Sequence, residues 1–300
     1  MPLSALWGGP HGLDSSAEAG QAWPDKEHMH FNFGFNTVQV LWTLTFAAQL
    51  VLLVVLLGRD RARRFPWFTA SVALVALRLL TSRLLFGRMP QLTMTTIFLA
   101  MADLTVVMSL LVLVELARQS LGGASRRAWI AGILGLALLG GGVAGAWGHW
   151  PAWSTMTAGT PLATLGLMQL FAQKVGVLAD VVTVGLGVLV VLLGRRYGAG
   201  WKTHPQQLLV GLSTASLAQL AVQGIWQVIA RTAAPHSMAE YTRVVGLREK
   251  LYNGNSAVYV LVAVWWIVCM WRDEPGTRET GEAVGEGAGD GSTGAPEAEG

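Results

Sequence analysis

WFTASVALVALRLLTSRLLFGRMPQLTMTTIFLAMADLTVVMSLLVLVE, residues 67–115, decides the fold. It reads as two apolar spans, about Trp67–Phe86 and Thr93–Leu116, joined by a short turn holding Met89-Pro90. The first span carries Arg78 and Arg83, and the second carries Asp103 with Glu115 at its end. A charged side chain in a bilayer core costs roughly 2.5–3.5 kcal/mol on insertion scales, so it faces a partner or a wet cavity. A tight turn makes the two spans antiparallel neighbours. At 1.5 Å per residue Arg78 and Asp103 lie about 12 and 15 Å below the turn, a depth at which they are expected to meet as an ion pair.

Working outward, the same apolar pattern recurs along the chain. Of 300 residues 52% are hydrophobic and only 13% charged, with a mean hydropathy of +0.46. Soluble domains carry about 25% charged residues. Runs of about 20 apolar residues match a hydrocarbon core of about 30 Å. Further spans are expected at about Asn36–Leu57, Ala128–Trp147, Lys174–Leu193, Gln207–Ala230 and Asn255–Trp271. Residues 161–173 read as an extension of the fifth span's helix, and Arg231–Gly254 as a long charged loop. The fold class is thus an all-α, polytopic, seven-transmembrane-helix bundle over residues 31–271.

Flanking the bundle, residues 1–30 and 272–300 are rich in Gly, Ala and small polar residues and are expected to be disordered. Residues 1–28 lack the basic start and apolar core of a signal peptide, and Met29 is an alternative start. Arg59, Arg61, Arg63, Arg64, Arg118, Arg126 and Arg127 fall in connectors on one side. That side has roughly twice the Lys and Arg of the other, which predicts an outside N-terminus and a cytoplasmic C-terminus in the inner (plasma) membrane. Trp147, Trp150 and Trp153 place the loop after the fourth span at the opposite headgroup level.

Polar residues collect in the outer halves of the spans. Gln219, Gln223 and Gln227 share one helix face, as do Asn255 and Tyr259. Asn32, Asn36, Gln39 and Thr43 lie close to one face of the first span, and Asp180 is about 9 Å inside the fifth. Arg78, Asp103, Asp180, Gln219, Gln223, Asn255 and Tyr259 are the candidate binding residues, lining an outward pocket for a small polar or anionic ligand. The competing reading is that such groups bond across helices and hold the bundle together. Arg83 is expected to snorkel to the headgroups, and Glu115 to pair with Arg118 at i, i+3.

Other chemistry is excluded by its missing residues. The last span has no lysine for a retinal Schiff base. It also lacks Asn-Pro-x-x-Tyr, and Glu115-Leu116-Ala117-Arg118 does not match the acidic-Arg-aromatic motif of G-protein-coupled receptors. His28, His30, His149 and His236 fall on one side, but nothing fixes them together, so no metal is expected. Cys269 is the lone cysteine and rules out an internal disulfide. No HExxH, GxSxG or phosphate-cradling motif occurs in a suitable context. No catalysis, cofactor or nucleic-acid partner is expected.

HFNFGFN before the first span, then RARRFPWFT with a buried arginine after it, resembles uncharacterised bacterial seven-transmembrane-helix membrane proteins. The resemblance covers about residues 29–272 and implies the seven-span plan without an activity. In topology alone the plan is similar to membrane sensor modules of bacterial signalling enzymes. The leading expectation is a sensor or receptor-like binding protein, which would need a separate signalling partner. The alternatives are a transporter using the intramembrane charges, and an assembly subunit without a ligand.

Overall fold

The computed structural model describes residues 37–85, 88–120, 126–148, 150–152, 156–157, 159–193, 203–232 and 237–272. The arm 1–30, residues 273–300, and the histidines at 28, 30, 149 and 236 lie outside these, as do Asn32 and Asn36. The described residues form seven α-helices and one short 3₁₀ turn. The helices are α1 (Thr37–Gly58), α2 (Pro66–Leu85), α3 (Gln91–Ser120), α4 (Arg126–Ala146), α5 (Pro161–Leu193), α6 (His204–Thr232) and α7 (Met238–Trp271). The chain is an all-α polytopic membrane bundle. Six helices are long and apolar enough to cross a bilayer, and α4 carries a shorter apolar run, Ile130–Ala146.

Six of the helices close into a ring. α1 packs on α2 and α7, α2 on α3, α3 on α5, α5 on α6, and α6 on α7. α3 also touches α6 across the ring, and α4 packs on α5 from outside it. The glycine run 140–142 lies within α4, which continues to Ala146. Gly140 allows close packing, since a Cβ there would stand 2.7 Å from Leu178 Cδ1 and 3.1 Å from Val182 Cγ2 of α5.

Residues 161–173 continue α5 as one helix, as the sequence suggests. The segment 238–254, expected in a loop, is instead the first half of the 34-residue α7. Its charges suggested a loop, but it contains no proline and is rich in helix formers. Ser237 caps it, its hydroxyl accepting from the Glu240 N–H at 3.2 Å, which satisfies one of the helix's orphan donors.

Cations stacked on aromatic rings mark both ends of the bundle. On the basic side Arg59 lies 5.2 Å from the Trp271 ring and Arg64 5.6 Å from Phe65. On the far side Arg83 lies over Trp42, Lys174 over Trp150, and Arg248 over Trp226. From one girdle to the other is about 25 Å along α1 and about 35 Å along α7, at 1.5 Å per residue. These lengths bracket a hydrocarbon core of about 30 Å. The Arg83 side chain is exposed and its guanidinium lies 5.2 Å from the centroid of the Trp42 ring.

Near the basic side the ring is filled. Leu52, Val55 and Leu56 of α1 meet Phe68 and Val72 of α2, and Val112, Leu113 and Leu116 of α3. Leu186 and Val190 of α5, Leu208 and Leu209 of α6, and Val262 and Trp266 of α7 complete the cluster. Phe68 and Trp266 meet edge to face at 5.3 Å between centroids. Gly211 makes this packing fit, because any Cβ there would collide with the Trp266 indole.

The sequence pairs Glu115 with Arg118, and the structure corrects this. Arg118 is exposed, whereas the Glu115 carboxylate accepts from the backbone N–H groups of Phe68 at 3.0 Å and Trp67 at 3.4 Å. These are among the first N–H groups of α2, which no intrahelical carbonyl can satisfy. A carboxylate at a helix N-terminus also opposes the helix dipole favourably. One turn on, Gln119 Nε2 donates to the Arg64 carbonyl at 2.8 Å. α3 thus caps and clamps the start of α2.

Candidate functional site

Above the apolar cluster each ring helix turns polar in one layer. Taking the Phe68–Trp266 contact as a floor, the layer spans about 10 to 18 Å above it at 1.5 Å per residue. α1 contributes Gln49, α2 Arg78, α3 Asp103, α5 Asp180, α6 Ser216 and Gln219, and α7 Asn255 and Tyr259. The girdle spacing puts this layer near mid-membrane.

The partners within the layer cross helix boundaries. Gln49, 0% exposed, donates from Nε2 to the Tyr259 hydroxyl at 3.0 Å, joining α1 to α7. Asn255 Nδ2 donates to Gln219 Oε1 at 2.5 Å, joining α7 to α6. Ser216 of α6 stands beside the Asp180 carboxylate of α5. Arg78, 9% exposed, is close enough to Tyr259 for the two polar groups to act on each other electrostatically. Tyr259 also meets Trp266 edge to face at 6.4 Å, which ties the layer to the apolar floor.

The expected ion pair between Arg78 and Asp103 is not formed. No salt bridge joins them among the described residues, and Asp103 Oδ1 is enclosed without a hydrogen-bond partner. Similar height on two adjacent helices does not set the rotation of each helix about its axis. Gln49 Oε1 is a second enclosed acceptor with no partner.

Of the residues expected to line a pocket, Tyr259 lies with Arg78, and Asn255 with Gln219. Asp103 and Asp180 sit on the neighbouring helices α3 and α5 of the same layer. Gln223 is half-buried, one turn further out than Gln219. Thr43, expected in the α1 stripe, is exposed and bonds its own helix's Gln39 carbonyl at 2.9 Å. Sequence reasoning missed Gln49 and Ser216. The signal for Gln49 was an amide in the middle of an apolar span, a position that demands a partner on another helix. Ser216 carries no such signal, because a serine can satisfy itself on its own helix.

An enclosed acceptor without a donor is costly, and two of them in one layer ask for N–H or O–H groups from elsewhere. Compared with known proteins, the chain matches no protein-family model, no curated protein and no solved structure.

Proposed function

We propose that this is a seven-span plasma-membrane protein, N-terminus out, acting as a sensor or receptor-like binding module and not as an enzyme. Its site is the mid-membrane polar layer, open to the outside, and its ligand is a small polar or anionic molecule. The observation that carries the reading is the division of the ring. All six ring helices contribute polar groups to one layer, and the ring below it is filled mainly by Leu, Val, Phe and Trp side chains. Asp103 Oδ1 and Gln49 Oε1 lack donors in that layer, so the ligand carries N–H or O–H groups.

A transport path would need polar groups continuing to the basic side, where the ring is instead filled by Leu, Val, Phe and Trp side chains. A blind site favours sensing, with the signal passed to a separate protein partner.

The test is a thermal-unfolding screen of detergent-purified protein against amino acids, small carboxylic acids and sugars. A ligand that binds only the folded state raises the midpoint in proportion to its occupancy. A compound that stabilises the native chain but not Asp103→Asn or Gln49→Leu supports the reading. Solute flux into proteoliposomes above the empty-vesicle rate would replace it with transport.

A further inference from the structure

A second site lies away from the polar layer, at the far-side girdle where α4 ends beside α5 and α6. Lys174 is only 8% exposed, unusual for a lysine, which is almost never fully buried unless paired. Its ammonium donates to the Trp147 carbonyl and lies 4.3 Å from the Trp150 ring centroid. Among the described residues no carboxylate forms a salt bridge with it.

The groups that do meet Lys174 carry partial charge only. The Trp147 carbonyl sits just past the C-terminus of α4, where the helix dipole amounts to roughly half an elementary negative charge. The Trp150 ring adds a quadrupole. A buried ammonium is normally matched by a full opposite charge.

The surrounding side chains present donors as well. Gly148 takes the left-handed region, φ 73°, and so turns the chain back over α5 and α6. A Cβ on Gly148 would lie 3.5 Å from both Gln173 Nε2 of α5 and Gln227 Nε2 of α6, so the two amides converge there. The Trp147 indole Nε1–H is enclosed with no acceptor, and its ring reaches Gly224 of α6, to within 3.6 Å of a Cβ there. A buried cation, two converging amides and an orphaned indole donor thus share one corner of the bundle. Gln173 is exposed, so the corner is open at its edge.

We propose that Lys174, Gln173, Gln227 and Trp147 form a phosphate-type anion site at the far-side headgroup level. The anion is a lipid phosphate headgroup from that leaflet or a free inorganic phosphate. Both offer a full negative charge and several acceptor oxygens, which is what a cation ringed by N–H donors lacks. The site is independent of the polar layer, and it stands whether or not that layer binds a ligand.

The test follows the unfolding midpoint of the full-length protein in detergent during two titrations. One adds sodium phosphate against sodium chloride at equal ionic strength. The other adds a short-chain phosphatidylglycerol against a diacylglycerol of the same chain length. The native chain and Lys174→Arg should show a saturable rise with at least one phosphate-bearing probe and none with its control. The half-saturating concentration should rise about tenfold in Lys174→Gln and in Gln227→Leu, as expected for losing a charge-assisted donor or its neighbour. A rise with both probes identifies a free-anion site, and a rise with the lipid alone identifies a headgroup site. No saturable rise with either probe, or unchanged half-saturation in the variants, overturns the proposal. If Lys174→Gln does not fold, Gln227→Leu decides by the same criterion.

Discussion

The two halves of the ring use the same six helices in opposite ways. Near the basic side they meet mainly through Leu, Val, Phe and Trp side chains with almost no exposure, and the buried Glu115 carboxylate there is occupied in capping α2. A dozen ångströms or so further out, about two turns of helix, the same helices present amides, carboxylates, an arginine and a tyrosine. In that layer acceptor oxygens of Asp103 and Gln49 have no donor. A bilayer does not drive helices together by the hydrophobic effect, so close packing and interhelical hydrogen bonds must do it. The basic-side half relies on the first and the mid-membrane layer on the second. The layer keeps two enclosed acceptors without donors, on α1 and α3 of one ring, and the proposed site rests on that pair.

The comparison predicts unequal sensitivity to substitution. Trp266→Ala removes the ring that meets both Phe68 and Tyr259, and it should cost about 3–5 kcal/mol of unfolding free energy, as large core aromatics do. Denaturant unfolding in detergent measures it. A loss comparable to that of a polar-layer substitution would mean the two halves are not differently built.

Glu115→Ala leaves the Trp67 and Phe68 N–H groups without their acceptor in a buried place, at an expected cost of about 1–3 kcal/mol. Glu115→Gln keeps one acceptor oxygen and should retain a good part of that stability. Equal behaviour of the two variants would show that the acceptor does not matter and that the carboxylate is no cap.

Gln219→Leu strands the Asn255 amide, whereas Gln219→Leu with Asn255→Leu removes both partners. A double-mutant cycle should give a coupling of about 0.6 kcal/mol, the typical worth of a hydrogen bond between membrane helices. Zero coupling would remove this bond from the account of how α6 and α7 are joined.

Asp103→Asn should be the mildest, within about 0.5 kcal/mol of the native chain, because no hydrogen bond or salt bridge to Oδ1 is lost. Under the proposed function its effect falls on ligand binding instead. A large loss of stability would mean that Asp103 is structural.

Much of the fold is legible in the sequence, because membrane spans are set by length and apolarity. Span edges at Thr37, Pro66 and Leu193 fall within a residue or two of the expected positions. The first half of α7 was not legible. Its charges, from Glu240 to Lys250, look like a loop to a rule that expects apolar residues, although a helix continues past the membrane as readily as within it. What the structure adds to the residue count is contact between helices, joining Gln219 to Asn255 and Gln49 to Tyr259. Azimuth was not legible. A count of residues gives height through the rise per residue, but which groups Arg78 meets on the neighbouring helices depends on how the whole ring packs. Glu115 shows the same limit: the sequence places it beside Arg118, whereas packing against α2 offers it two backbone donors.

The most direct test of the central claim is thiol accessibility from the two sides of the membrane. With Cys269→Ser as background, Gln223→Cys and Val112→Cys are labelled separately in sealed vesicles by a membrane-impermeant maleimide. The account predicts that Gln223→Cys reacts when the reagent is on the outside and not when it is confined to the cytoplasmic side, and that Val112→Cys reacts from neither. Labelling of Gln223→Cys from the cytoplasmic side, or of Val112→Cys from either side, would contradict an outward site closed below by packed side chains.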